Sequence, residues 1–187
     1  MPTTIRLLFC VLVSFALPAN AERRCLQTAD VAWLEKLAVS ACLYGNAAKP
    51  PAAATATEFR QTLRNIGKST IVLELPKDVT WLFHLQIYLD GREVSRRERR
   101  REGDERPIEY RFVELAPGEQ TEIRHAIADL MTERPQAGKK YDVVQNAYFG
   151  FRAPDEPAGS GLTRRAQEAA EKEAPLPWIR FEGVEIR

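Results

Sequence analysis

The sequence predicts a mainly β protein, built as a single antiparallel β-sandwich of about seven short strands. Three observations predict it. Between residues 58 and 152 apolar side chains recur at every second position in short runs, the period of a half-buried strand. Turn chemistry separates those runs at regular spacing, as in Asp90-Gly91 and Ala116-Pro117-Gly118. No intervening segment reads as the crossover helix that a parallel sheet requires.

The chain begins MPTTIRLLFCVLVSFALPANAERRC. Arg6 precedes an apolar run over residues 7–17, Pro18 ends it, and Ala19-Asn20-Ala21 supplies small residues before a cut. This is the pattern of a secretory signal peptide over residues 1–21. The run has about half of the roughly 20 apolar residues that a membrane span needs. Cys10 and Cys25 do not follow a small residue at the cut, so a lipid-anchored signal does not fit. The expectation is a periplasmic or secreted protein with no membrane insertion after cleavage.

Cleavage removes Cys10 and leaves Cys25 and Cys42, which in an oxidising compartment are expected to form a disulfide. They lie within residues 22–57, read as a disulfide-linked N-terminal helix and linker. TADVAWLEKLAVSACLYGN (28–46) reads as a helix, with Asp30 as its N-cap and Trp33, Leu34, Leu37, Ala38 and Ala41 at helical spacing. The rival reading makes 37–44 a strand with Leu37, Val39, Ala41 and Leu43 on one face. The proline and small residues of NAAKPPAAATATE make it a linker or an extended lead-in.

The sandwich is expected over residues 58–152. EFRQTLRN is a strand and NIGKS a turn. TIVLELP is a second strand, with Ile71, Leu73 and Leu75 in phase. VTWLFHLQIYLDG places Trp81, Phe83, Leu85, Ile87 and Leu89 on one face, and Asp90-Gly91 signals a two-residue hairpin. PIEYRFVEL puts Ile108, Tyr110 and Phe112 inward. TEIRHAIADLM puts Ile123, His125 and Ile127 on one face, and YDVVQNAYFGFR aligns Tyr141, Val143, Ala147, Phe149 and Phe151. Residues 153–187 follow as a loop, a charged surface helix in LTRRAQEAAEKEA, and an apolar tail, PLPWIRFEGVEIR. The tail is expected to dock on the sandwich as an added edge strand.

Between hairpin and next strand lies REVSRRERRREGDER (92–106), with seven arginines and five acids. The full chain has 27 Lys+Arg and 26 Asp+Glu. Removing the leader takes away Arg6 and no acid, so the mature chain is formally neutral. A nucleic-acid binder shows a basic excess and aromatics that stack on bases, and this stretch offers neither. It reads as a solvated excursion at a sheet edge. The alternative is a protein contact through Arg96, Arg97, Arg99, Arg100 and Arg101.

Several motifs together resemble bacterial immunoglobulin-like domains. They are Asn65 and Gly67 after the first strand, LDGREV (89–94), LAPGE (115–119) and AGKKYDV (137–143). Their order is similar to that in the bacterial intracellular proteinase inhibitors. The likeness covers half of the chain. It implies an immunoglobulin-like topology and makes inhibition of a proteinase one possible role; fold alone does not fix function.

The residues give no catalytic set. His125 reads as a packed core histidine and His84 as an outer-surface one. The GSG at 159–161 lacks the strand-turn-helix context of a nucleophile elbow and reads as linker. No short-spaced ligand pair accompanies either histidine, so neither a metal nor a cofactor is expected. Trp33, Trp81 and Trp178 read as core and docking anchors. The expected function is a non-catalytic module of the bacterial envelope that binds another envelope or secreted protein, of unassigned oligomeric state. A proteinase-inhibitor-like role is the nearest alternative, and a small periplasmic hydrolase is the alternative from a different class.

Overall fold

The computed structural model describes residues 23–46, 55–77, 85–95, 109–147, 149–174 and 177–187. The leader at 1–21, Trp81, Phe83, His84, Ile108 and the arginines from Arg96 to Arg106 lie outside the described residues.

The described residues form eleven strands in two sheets, one 3-10 turn and one α-helix. In chain order the strands are β1 (Arg23–Trp33), β2 (Leu37–Asn46), β3 (Thr55–Asn65), β4 (Ile71–Pro76), β5 (Leu85–Leu89) and β6 (Arg92–Glu93). They continue as β7 (Tyr110–Leu115), β8 (Gln120–Ala126), β9 (Lys140–Asn146), β10 (Phe151–Arg152) and β11 (Trp178–Ile186). The 3-10 turn is Ile127–Leu130 and the helix, α1, is Gly161–Glu171. The main sheet runs β1-β2-β3-β11-β9-β5-β6, with β8 also paired to β3; the small sheet runs β10-β4-β7. The mainly β expectation holds, with more strands than the seven expected and with one parallel pair, β3 with β11.

The expected helix over 28–46 is not formed. These residues make the β1–β2 hairpin, in which Val31 faces Val39 and Thr28 faces Cys42. Leu34 and Glu35 turn the chain with φ of 51° and 53°. Side-chain spacing alone fits both a helix and a strand here. What decides is pairing to a distant segment: β2 is zipped along its other edge to β3, from Leu37↔Asn65 to Asn46↔Thr55. Leu37, Val39, Ala41 and Leu43 then all point into the core. The Cys25–Cys42 disulfide crosses this hairpin with the Cα atoms 5.8 Å apart.

The tail also takes a different place from the one expected. β11 is an interior strand, antiparallel to β9 and parallel to the first residues of β3. Ile179, Phe181, Val184 and Ile186 are buried. The step from Phe181 to Val184 keeps both on the inner side because the register shifts between them, where Gly183 has a φ of 63°.

One core joins the sheets. Trp33, Phe59, Leu63, Leu73, Ile87, Tyr141, Phe151 and Phe181 are buried within it, and the Trp33 Nε1–H donates to Phe149 O at 3.1 Å. Two buried amides meet where Gln61 Nε2 donates to Gln145 Oε1 at 2.7 Å. Asn65, fully buried, ties two turns together. Its side-chain amide donates to Ser69 O and Leu115 O, its Oδ1 accepts from Gly67 N, and its backbone bonds to Gly118 and Glu119. The NIGKS and APGE turns are thus fixed against each other. The Asp90-Gly91 turn is also formed, with φ of 50° and 78°, the left-handed pair that a two-residue hairpin needs.

Candidate functional site

Three surfaces bear on function: the closed outer face of the small sheet, its β7 side, which pairs with no further strand among the described residues, and an open groove on the main sheet. β4 is buried on both sides, with Ile71 through Leu75 all buried. Ile71, Leu73 and Leu75 enter the core. Val72 and Glu74 face the other way and are also buried, Glu74 against the segment leading into α1. Glu74, 3 % exposed, is the only buried acid among the described residues. Its carboxylate accepts from Gly159 N and Gly161 N, both at 2.7 Å, and lies 3.2 Å from Arg152 Nε. An acceptor at the start of a helix satisfies N–H groups that have no partner inside the helix. Ser160, at the N-cap position, makes no side-chain cap bond, so a strand residue does that work. The GSG read as linker is this contact. A Cβ at Gly161 would sit 2.7 Å from Glu74 Oε2 and 2.9 Å from the Phe151 backbone.

Arg152 organises the same corner. Its Nη1 donates to the carbonyls of Ala153, Pro154 and Glu156, and its guanidinium carbon lies 5.6 Å from the Phe112 ring centroid. Phe112 stands on β7, the last strand of the small sheet, and is 47 % exposed. The expected inward phase of Tyr110 and Phe112 is therefore wrong. Val113 and Leu115 face the core, opposite Leu73 and Ile71. Both phases of YRFVEL carry apolar residues, so alternation alone does not choose between them. Tyr110 is half-buried at 6.3 Å from the Phe112 ring, and burial, then the charge of Glu74, push its phenol pKa up.

The groove lies on the outer face of β5, β9 and β11. Gln86, Tyr88, Gly91, Asp142, Val144, Trp178 and Arg180 line about 520 Å³. Trp178 is 54 % exposed and so is not the docking anchor expected of it. A smaller depression of about 320 Å³ lies on the outer face of β1, β2 and β3, beside the disulfide; there Arg60 stacks on the Tyr44 ring at 3.8 Å.

Of the residues singled out in the sequence, Cys25 and Cys42 are brought together, while Arg96, Arg97, Arg99, Arg100 and Arg101 fall outside the described residues. His125 lies on the inner side of β8, opposite Phe59, and burial lowers its pKa. Among the described residues no cluster of three or more His, Cys, Asp or Glu could hold a metal ion. Sequence reading missed Glu74, Phe112 and Trp178. Glu74 had one available signal, a lone carboxylate inside an otherwise apolar strand. No family model, no curated protein and no solved structure matches this chain.

Proposed function

We propose that the chain is an exported, non-catalytic module of the bacterial envelope that binds another envelope or secreted protein along β7. The observation that carries this reading is Phe112. It is a large aromatic, 47 % exposed, on the strand that ends the small sheet among the described residues, and the other face of that sheet packs on the core. A terminal strand offers backbone N–H and C=O groups to an extended segment of a partner, and an aromatic beside it supplies the apolar anchor. The arginine-rich stretch ends three residues before β7 in sequence, so Arg96, Arg97, Arg99, Arg100 and Arg101 would steer an acidic partner toward that edge. Export is supported by the 1–21 leader pattern and by the Cys25–Cys42 pair.

The immunoglobulin-like reading belongs to the same proposal. It is supported by the order β11-β9-β5-β6, which matches the G-F-C-C′ order of an immunoglobulin sheet, and by the β4–β7 pair, which matches B with E. The β1–β2 hairpin, β8 and β10 lie outside that pattern. A proteinase is one partner class that the resemblance implies.

A photoreactive amino acid placed at Phe112, in cells, tests the binding reading. A discrete protein adduct is expected from position 112 and none from Lys68, an exposed turn residue on another part of the surface. Replacing the five arginines with serine should slow capture of that partner, with the difference shrinking in high salt. Absence of any adduct at 112 would refute the β7 interface. Recovery of intact protein beginning at Met1 in the cytoplasm, rather than at Glu22 in the periplasm, would refute export.

A further inference from the structure

The geometry points to a second binding site, separate from the β7 edge: a saccharide groove on the outer face of β5, β9 and β11, with Trp178 as its stacking platform. The strand register builds it. Gln86, Val144 and Arg180 lie in one row across the three strands, Tyr88 lies beside Asp142, and Trp178 lies beside Asn146. Trp178 and Tyr88 therefore stand at opposite corners of the face, roughly 16 Å apart at Cα from the strand spacing and rise. The floor between them is Val144, 9 % exposed. The volume of about 520 Å³ is that of an ordinary small-ligand site.

The rim carries both donors and acceptors. Gly183 N donates to Asp142 Oδ1 at 3.0 Å, which orients that carboxylate and leaves its second oxygen to accept a hydroxyl. Tyr88 Oη donates to Gln86 Oε1 at 3.0 Å, which orients the amide and leaves its Nε2 to donate. Arg180 meets Glu182 at 3.4 Å, with both side chains about two-thirds exposed at 65 % and 68 %, so this pair exchanges readily with solvent or ligand. A purely apolar ligand would leave these groups without partners. A simple anion would be opposed by Asp142, and a simple cation by Arg180. A pyranose fits both parts: its C–H face lies on the electron-rich face of an aromatic ring, and its equatorial hydroxyls each donate and accept at the rim. Two aromatics at opposite corners suit a short oligosaccharide rather than a single sugar. Mounting on paired strands keeps the aromatic platforms and the rim in fixed relation, which lowers the ordering cost of binding.

The test uses the mature, disulfide-intact protein on an array of β-glucan, chitin-derived and uronic-acid oligosaccharides, followed by titration calorimetry on the best-retained sugar. At least one class should be retained. Trp178→Ala should weaken it about tenfold or more, while Trp178→Phe, which keeps an aromatic plane, should lose only a few-fold. Gln86→Ala should weaken it with the unfolding midpoint unchanged. Retention of no sugar would overturn the proposal. So would equal affinity of the parent and Trp178→Ala, or a protein adduct formed from a photoreactive residue at 178. A Phe112 variant should bind sugar normally, so the saccharide groove and the β7 interface can fail independently.

Discussion

The outer faces of the two sheets meet water on different terms. Over β4 the face is closed: Val72 and Glu74 are buried, the chain into α1 lies on Glu74, and the carboxylate is matched to two backbone N–H groups and an arginine. Over β5, β9 and β11 the face is open, and Tyr88, Asp142, Trp178 and Arg180 border a groove. The difference teaches where stability and recognition reside in this molecule. A polar group on the closed face is part of the fold, because removing its partner strands a buried charge. A polar or aromatic group on the open face can be changed with little effect on folding, and is free to serve a ligand.

The sharpest way to break that contrast is Glu74→Ala. It takes the counter-charge away from Arg152 and leaves the N–H groups of Gly159 and Gly161 without their acceptor, and the loss of one partner of a buried ion pair costs about 3–5 kcal/mol. Urea unfolding should show that loss, and limited proteolysis should cut first between residues 153 and 174. A midpoint unchanged from the parent would mean that the closed face does not depend on its carboxylate. Next in size is the double change Cys25→Ser with Cys42→Ser. Its closed loop, with a sequence separation of 17, corresponds to about 3 kcal/mol from chain entropy. The same titration checks it, and neither outer face should lose binding.

A smaller effect is confined to acid. Burial lowers the pKa of His125, so the folded state favours the neutral imidazole. Its contribution is fully present above the ordinary histidine range, falls as pH drops below that range, and is gone below the depressed folded value. His125→Asn should flatten this part of the stability-against-pH curve without removing the carboxylate-driven loss at lower pH. The smallest effect is expected at Trp178. An exposed surface position usually changes stability by about 0.5 kcal/mol, and Trp178 is more than half exposed, so Trp178→Ala should shift binding far more than it moves the unfolding midpoint. A large stability loss there would make the open face a second closed one.

The sequence made some of this legible and hid the rest for physical reasons. Strands β3, β4, β5, β8 and β9 follow period-two patterns between turns that carry their own chemistry, such as Asn65, Asp90-Gly91 and Pro117-Gly118. The β1–β2 turn has no such mark. Leu34 and Glu35 adopt left-handed backbone without a glycine or asparagine, and Trp33, Leu34 and Leu37 happen to fit a helical face. Long-range pairing with β3 overrides that local pattern. Tyr110 and Phe112 could face either way, and only the packing of Val113 and Leu115 against β4 decides. For the tail, Ile179, Phe181, Val184 and Ile186 reveal that it must be covered, but not by which strands. At the groove, no short-range signal separates an exposed Trp178 from a buried Trp33. The sidedness of each strand sets that difference.

The interior position of β11 has a consequence for the order of folding. Glu185 and Ile186 pair with Thr55 and Ala56, far away in sequence, while Trp178 through Phe181 pair with β9. Until residues 178–186 are synthesised, β9 lacks this antiparallel partner and Thr55 and Ala56 lack their parallel one. Contacts so distant in sequence form late and slowly. A nascent chain stopped at residue 177 would therefore hold a sheet split along its middle, and a stop codon there should yield an aggregation-prone product rather than a slightly shortened one.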